Sequence, residues 1–402
     1  MSLDFGEPDE RLLPFAASHS ESLRSIYSEM HDVKSEVVIT DHNSHSMGDS
    51  LDRYVDMRVD GDLLDWAKRE NLSVGVEGIY PNHLGDAIRA GSLTPLVSAT
   101  RRRRWANGIR ALYARSSGDR LMVFVAPGRD YVIHNAELIA SYMQRRNDSI
   151  QTVTYYPKAE SSVATWTRLL GFQLDRLVII GYSDLLLQLL LHRGASIESR
   201  QENEYYVVVR ARFAGGASFT LLSVRFSYWG SMARHLASSL LRAGAETILY
   251  CAKLGTIDPG RSPYDGLYIP TRYFIGGQSG RSYEVVAPMN PVAEAFPALA
   301  TGPHLTVATM MRETRELVSS ARSLHICSVD NEIGEIAYAF AAEGAGRGFS
   351  AIHFATDSPA GLGDQRSRSS DLTTSRTSRD RASRDRSLDE VANVLFDFLR
   401  MY

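Results

Sequence analysis

Short apolar runs alternate with longer helical patterns through most of this chain, and this alternation limits the folds that it can adopt. LMVFVAP at 121–127 precedes a helical pattern that continues to Arg146, and RLVIIG at 176–181 and TILYCAKLG at 247–255 are further apolar runs. Continuous apolar runs of this length are typical of strands buried on both faces of a sheet, with helices covering those faces. The pattern therefore predicts an α/β protein.

Composition and turn-forming residues indicate how the chain is divided into domains. With 402 residues, of which 44% are hydrophobic, the chain is long enough for two domains with their own cores. YYVVVRARF at 205–213 and FTLLSVRF at 219–226 flank a Gly-Gly turn and predict a hairpin. The predicted units are an N-terminal extension over 1–35, a smaller α/β domain of unknown role over 36–175 and a second α/β domain over 176–402.

One tract near the end of the chain departs from this pattern. Residues 364–387 consist mostly of Arg, Ser and Asp and cannot bury a core, so we predict a disordered insert. LDEVANVLFDFL at 388–399 follows and predicts an amphipathic terminal helix.

Several functional classes are not expected. Cys251 and Cys327 are the two cysteines, too few for a disulfide framework, and the eleven histidines lack metal-ligand spacing. The apolar run at 185–191 is far shorter than the roughly 18 to 20 residues that span a bilayer, and residues 1–20 carry acids where a secretory signal has positive charge. We expect a cytoplasmic protein without metal. The net charge of -3 argues against nucleic acid as a partner.

Acidic residues occupy two places in the second domain where carboxyl groups can do chemistry. SVDNEIGEI at 328–336 predicts a helix on which Glu332 and Glu335 share a face. ATD at 355–357 places Asp357 at the end of a predicted strand. Each has a structural alternative, a solvated acidic helix face for the first pair and a turn cap for Asp357.

Four sequence blocks carry a resemblance to a known family. IIGYSD, the stretch from TLLSVRF to AKLGTI, SVDNEIGEIAYAFAAEG and SAIHFATDSP follow one another in the order seen in the nucleoside phosphorylase and nucleosidase superfamily. The resemblance covers about residues 176–402 and implies a three-layer domain with a central mixed sheet. It also implies cleavage of the N-glycosidic bond of a purine nucleoside or nucleotide by a homo-oligomer. Residues 36–118 resemble the N-terminal domain of ATP-grasp ligases, without a catalytic motif.

The resemblance implies roles for the acids. VDNE at 329–332 has the spacing of the family's VxMEt, so Glu332 is implied to bind the ribose hydroxyls, with Asn331 in place of the family methionine. An ionised carboxylate can accept two hydrogen bonds from a cis-diol. ATD at 355–357 corresponds to the family's vSD motif, so the resemblance implies that Asp357 protonates the leaving base.

The nucleophile stays open between water and phosphate. The family's phosphate loops correspond here to Gly181 through Leu185, without arginine, and to Lys253 through Thr256. Asp184 lies near the place of the acid that activates water in the nucleosidases, so hydrolysis is preferred over phosphorolysis. No metal or organic cofactor is implied, and phosphate is the co-substrate of the second alternative. The implied phosphate-binding residues are Gly181, Lys253, Gly255 and Thr256.

A non-catalytic alternative also stays open. In this alternative the domain is a nucleoside-binding sensor or scaffold. Positions where a family residue is replaced, including Asn331 and Lys253, then reflect the loss of catalytic activity.

Overall fold

The computed structural model describes most of the two predicted domains. The sequence EVVIT at 36–40 predicts a strand and SSVATWTRLLGF at 161–172 predicts a helix. That strand, the run of arginines at 101–104 and most of that helix lie outside the described residues. The described residues are 31–33, 43–78, 93–96, 112–116, 120–148, 152–156, 167, 170–203, 205–224, 228–276, 282–359 and 378–402.

The N-terminal domain contains a six-stranded sheet with the strand order β1-β6-β2-β5-β4-β3. Strands β6, β2 and β5 are parallel to one another, whereas β1, β4 and β3 pair in antiparallel fashion. The elements are β1 (His31–Val33), α1 (Ser50–Asp56), α2 (Gly61–Arg69), β2 (Ser73–Gly78), β3 (Leu93–Leu96), β4 (Leu112–Ser116), β5 (Arg120–Val125), α3 (Arg129–Gln144) and β6 (Thr152–Tyr156).

The C-terminal domain contains a ten-stranded mixed sheet, with the order β13-β12-β14-β15-β11-β7-β10-β9-β8 and with β16 paired to both β11 and β12. Its strands are β7 (Leu177–Gly181), β8 (Ser196–Glu202), β9 (Tyr206–Arg212), β10 (Ser218–Val224), β11 (Thr247–Thr256), β12 (Leu267–Gly276), β13 (Ser282–Val285), β14 (Ala300–Val307), β15 (Ser328–Asp330) and β16 (Gly348–Asp357). Its helices are α4 (Ser183–His192), α5 (Ser231–Arg242), α6 (Pro291–Ala295), α7 (Arg315–Ser323), α8 (Ile333–Glu343) and α9 (Ser378–Met401). Short 3₁₀ turns cover Pro297–Leu299 and Met310–Arg312.

Five strands of this sheet close into a ring. Strand β11 pairs with β15, β15 with β14, β14 with β12, β12 with β16, and β16 again with β11. Closure brings the ends of β11, β15 and β16 to one place, where the predicted site residues lie.

Helices cover both faces of the sheet. In β7, Val178 and Ile180 pack with α5 and α8, whereas Leu177 and Ile179 pack with α4 and α9 on the other face. Side chains alternate between the faces of a strand, so each face has its own core. The prediction of a three-layer α/β domain with a central mixed sheet, preceded by a smaller α/β domain, is confirmed.

Two local predictions are also confirmed. Strands β9 and β10 form the expected antiparallel hairpin, in which Ser218 lies opposite Arg212. The sequence SMARHLASSLLRAG at 231–244 predicts a helix that ends on Gly244, and α5 covers this pattern as far as Arg242. In the described part of the chain, no helix has both the length and the apolar character needed to cross a membrane.

The terminal helix begins earlier than predicted. Helix α9 starts at Ser378, so the last ten residues of the predicted disordered insert, 378–387, are helical, while 360–377 lie outside the described part. Leu388, Val391 and Ala392 of this helix are buried against the sheet. Once such a docked segment has nucleated a helix, extending it by a few polar residues costs little free energy.

The two domains meet where α3 approaches the start of α5. Helix α5 has glycine at its N-cap position and no cap of its own. Instead, the Asp130 carboxylate of the N-terminal domain accepts a hydrogen bond of 2.7 Å from the Ser231 amide. A Cβ atom on Gly230 would lie 2.6 Å from the Asp130 carboxyl group, so glycine is required for this close approach.

This interdomain cap predicts a measurable loss of stability. Asp130→Ala removes the acceptor and should lower the free energy of unfolding by about 0.5–2 kcal/mol, as for other helix caps. Asp130→Asn keeps an acceptor oxygen and should retain most of the stability. Urea denaturation of the three proteins measures both effects. Equal stability of the alanine variant and the parent protein would contradict the cap.

Candidate active site

A cavity of about 320 Å³ opens where β7, β11, β15 and β16 end. Among the described residues, four acids and one cation line it: Glu313, Asp330, Glu332, Asp357 and Lys253. Tyr182, Tyr228 and Tyr250 contribute aromatic surface. The cavity is therefore acidic and aromatic.

Six of the eight site residues taken from the sequence line this cavity, namely Gly181, Lys253, Gly255, Asn331, Glu332 and Asp357. Thr256 and Asp184 are absent from the lining. Thr256 is fully buried and accepts a hydrogen bond of 2.7 Å from the Tyr268 hydroxyl. Asp184 is exposed in the first turn of α4, where it accepts a hydrogen bond of 2.7 Å from the Ser223 hydroxyl.

Gly181 is the last residue of β7 and lines the cavity. Its φ of +104° is a conformation that residues with a side chain rarely adopt. A Cβ atom here would also lie 2.0 Å from the Cys251 carbonyl oxygen on β11. Steric constraint is therefore sufficient to explain why glycine occupies this position, without a role in binding phosphate.

Gly255 and Asp357 face each other across β11 and β16, next to a shift in the strand register. Asp357 is the last residue of β16, as predicted, and is half-buried. A Cβ atom on Gly255 would lie 3.3 Å from an Asp357 carboxylate oxygen, which is a tight contact. Glycine at this position therefore leaves room for the carboxyl group of Asp357.

The prediction that Glu332 and Glu335 share a helix face is wrong. Helix α8 begins at Ile333, so Glu332 precedes it with φ −131° and ψ −42° and lines the cavity. Glu335 points elsewhere and accepts a hydrogen bond of 2.6 Å from Arg234 on α5. The two acids therefore have different surroundings: Glu332 lines the cavity, and Glu335 links α8 to α5.

Asp330 fixes the start of α8 and with it the position of Glu332. One Asp330 carboxylate oxygen lies 2.7 Å from His304 Nε2 and accepts a 2.7 Å hydrogen bond from Thr306. The other accepts a 2.9 Å hydrogen bond from the Ile333 amide. Burial, the largest single influence, raises the pKa of Asp330, but His304, Thr306 and other nearby groups together outweigh it, so the pKa lies below its usual range. Asp330 is thus a buried carboxylate with a full set of donors.

The pKa of Glu332 is shifted in the opposite direction to that of Asp330. Burial, followed by the Asp330 charge, raises the pKa of Glu332 well above its usual range, and Lys253 opposes this shift. A protonated carboxyl group offers one donor and one acceptor. Glu332 is therefore suited to a hydroxyl pair of which one member donates and the other accepts.

Asn331 spans from the cavity to the neighbouring strand. Its side-chain amide donates a 2.7 Å hydrogen bond to the Val307 carbonyl oxygen of β14. The Asn331 carbonyl oxygen accepts a 2.9 Å hydrogen bond from the Gly230 amide. These bonds hold the segment that carries Glu332 from both sides.

Sequence reasoning missed Glu313. This acid follows the 3₁₀ turn Met310–Arg312, is 7% exposed and lines the cavity. Burial, with smaller contributions from Asp357 and Asp330, raises its pKa to about 8. Its surrounding sequence MMRETREL has no strand or helix periodicity that marks a site, and a buried acid cannot be told from an exposed one there.

The Asp330 network predicts that a neutral side chain cannot replace this acid. Asp330→Asn offers one acceptor where the structure needs two, and leaves an amide NH₂ facing a donor. We expect the free energy of unfolding to fall by about 1–3 kcal/mol. Chemical denaturation measures this, with the half-exposed Asp389→Asn as a control expected to change stability by less than about 0.5 kcal/mol. Equal effects of the two substitutions would count against the network.

Comparison with known proteins gives one curated relative. No protein-family model matches the chain. A protein named oxidoreductase cns1, from Cordyceps militaris, is 28% identical over 247 residues, which are 57% of this chain and 31% of that protein. The chain thus spans about a third of the length of the relative.

Several solved structures are also similar to part of the chain. Uridine phosphorylase from Vibrio fischeri ES114 has a TM-score of 0.44 and 12% identity, covering 57% of this chain and 94% of that chain. The 5'-methylthioadenosine/S-adenosylhomocysteine nucleosidase from Helicobacter pylori has a TM-score of 0.43 and 11% identity, covering 56% and 97%. The corresponding Campylobacter jejuni nucleosidase has a TM-score of 0.41 and 13% identity, covering 56% and 99%.

Proposed function

We propose that the C-terminal domain cleaves the N-glycosidic bond of a nucleoside or nucleotide, with a purine as the leaving base. One observation carries the proposal. Glu332 and Asp357, which lie 25 residues apart in sequence and at the ends of different elements, open into the same cavity. Two acids in one cavity can address the sugar and the base of one ligand.

In this mechanism Glu332 holds the ribose. Its carboxyl group donates to one ribose hydroxyl and accepts from the other, which fixes the sugar relative to the base. Tyr182, Tyr228 and Tyr250 supply the flat apolar surface that rings bind.

Asp357 acts on the leaving group. As the bond between the anomeric carbon and the base nitrogen breaks, its electron pair stays on the base, and Asp357 donates a proton to that base. The oxygen of a water molecule forms the new bond to the anomeric carbon and releases a proton that restores Asp357. The products are free base and ribose.

Water is the proposed nucleophile because of the charges around the cavity. Lys253 is the one cation among the described residues of the lining, and the Asp330 carboxylate, whose pKa is lowered, lies in the same lining. Two like charges about 4 Å apart repel by about 4 kcal/mol at an effective dielectric constant near 20, so the Asp330 charge disfavours a phosphate dianion here. Water has no such penalty.

The placement of two residues favours a second candidate function. Asp184 and Thr256, which the family resemblance assigns to water and phosphate, lie outside the cavity lining. A domain that binds a nucleoside without cleaving it would keep Glu332 and the tyrosines while losing those groups. The alternative function is therefore a nucleoside sensor or scaffold.

The enzyme predicts a specific pattern of variants. Glu332→Gln and Asp357→Asn should each lower turnover of a purine nucleoside at least about 100-fold, because each removes a group used in the transition state. Asp184→Asn, outside the cavity, is the matched control and should retain the parent rate. Release of free base is followed by chromatography. Full activity of the Glu332 variant would refute the ribose assignment.

The same assay separates the two nucleophiles. In phosphate-free buffer, free base and ribose should appear at the rate seen with phosphate. Strict dependence on added phosphate, with ribose 1-phosphate as the product, would instead identify phosphorolysis through Lys253. Binding of nucleosides without release of base, with or without phosphate, would favour the sensor.

A further inference from the structure

One wall of the cavity belongs to a segment that the C-terminal domain does not hold alone. Residues 308–314 connect β14 to α7, and Met310 and Glu313 of this segment line the cavity. The segment contains a single 3₁₀ turn and lies outside the strands and helices of the domain. Its position therefore depends on the contacts that it makes with other parts of the chain.

The N-terminal domain supplies backbone contacts on both sides of Glu313. The Ser46 amide donates a 2.8 Å hydrogen bond to the Glu313 carbonyl oxygen, and the Arg315 amide donates a 2.8 Å hydrogen bond to the Ser44 carbonyl oxygen. His45 Nε2 lies 2.7 Å from the Met310 carbonyl oxygen. His45 is 1% exposed, so this contact is sealed from water.

Side chains of α3 hold the same segment from within the interface. His134 Nδ1 lies 2.9 Å from the Thr309 hydroxyl. Oε1 of Glu137 accepts a 2.8 Å hydrogen bond from Arg312 Nε, and Arg312 Nη2 lies 2.7 Å from the same oxygen. Glu137 is fully buried, and burial raises its pKa while Arg312 opposes that shift. A buried pair of this kind is strongly destabilised when one partner is removed.

These contacts make the N-terminal domain a support for the cavity wall that carries Glu313. We infer that Glu313 donates a hydrogen bond to the bound ligand and that Glu137, through Arg312, is the positioning residue that keeps Glu313 in the cavity. The inference rests on the proposed function for the identity of the ligand. The ligand needs an acceptor atom, such as a base nitrogen or carbonyl oxygen, opposite Glu313.

The donor role depends on pH in a defined direction. With a pKa raised to about 8, Glu313 is a donor below that pH and becomes an acceptor as the pH rises through it. Ligand binding should therefore weaken above about pH 8. Other titratable or charged groups lie near Glu313. In the cavity they are Asp330, Glu332, Asp357, Lys253, Tyr182, Tyr228 and Tyr250. At the domain interface they are His45, Tyr54, His134, Glu137, Arg312 and Arg315.

Three variants of the full chain test the inference, with adenosine and inosine as probes. Glu313→Gln keeps a donor that does not titrate, so the alkaline loss of kcat/KM should disappear. Glu137→Gln should loosen the wall and let water reach Glu313, which moves the alkaline loss to lower pH and raises KM about tenfold with a smaller change in kcat. Asp130→Asn is the matched control, because it alters another acid of the same interface and should leave the pH profile unchanged.

The expected outcomes separate the inference from the proposed function. Cleavage of a probe with parent-like pH profiles in both Glu313→Gln and Glu137→Gln would overturn the inference and leave the function standing. If the parent protein neither binds nor cleaves either probe, the function fails and the inference with it. If Glu137→Gln does not fold, Arg312→Lys, which keeps the charge and loses the planar fork, should shift the profile in the same direction. Glu137→Asp, which keeps the pair, should restore most of the parent profile, and its failure to do so would also overturn the positioning role.

Discussion

The buried carboxylate of Asp330 is the interaction on which the rest of the site depends. It joins two strands and a helix by accepting from His304 and Thr306 of β14 and from the Ile333 amide of α8. A buried charge is tolerated only where donors replace the water that it has lost. Because these donors come from separate elements, the carboxylate sets where α8 begins. The residue just before that point, Glu332, is thereby directed into the cavity.

The charge on Asp330 also shapes the chemistry of its neighbours. It raises the pKa of Glu332 and of Glu313, in addition to the effect of burial. A carboxyl group in its protonated form offers a hydrogen-bond donor as well as an acceptor. Since Glu313 reaches the cavity on a segment held by Ser46, His45 and Glu137, the N-terminal domain takes part in this arrangement. The N-terminal domain thus supports one wall of a site whose described lining comes from the C-terminal domain.

Much of the fold could be predicted because its signals are local. Continuous apolar runs identify β5, β7 and β11, and the hairpin of β9 and β10 follows from two strand patterns around Gly215 and Gly216. Asp60 precedes the helical pattern GDLLDWAKR and is a preferred N-cap residue, and its carboxylate accepts a 3.2 Å hydrogen bond from the Leu63 amide of α2. Asp357 was expected at a strand end and ends β16. Periodicity and capping depend on neighbouring residues, which a sequence displays directly.

By itself, then, the sequence determined the alternation of strands and helices, the three-layer class and the acids from which a site can be built. Tertiary structure decided which acids meet. Glu332 and Glu335 diverge because α8 starts where Asp330 and Thr306 bind its first amides, and Thr306 lies on another strand. Glu313 enters the cavity because contacts from the N-terminal domain hold its backbone, across more than 250 residues of chain. Long-range contacts of this kind leave no local pattern, so burial, protonation and direction of these side chains follow only from the packed molecule.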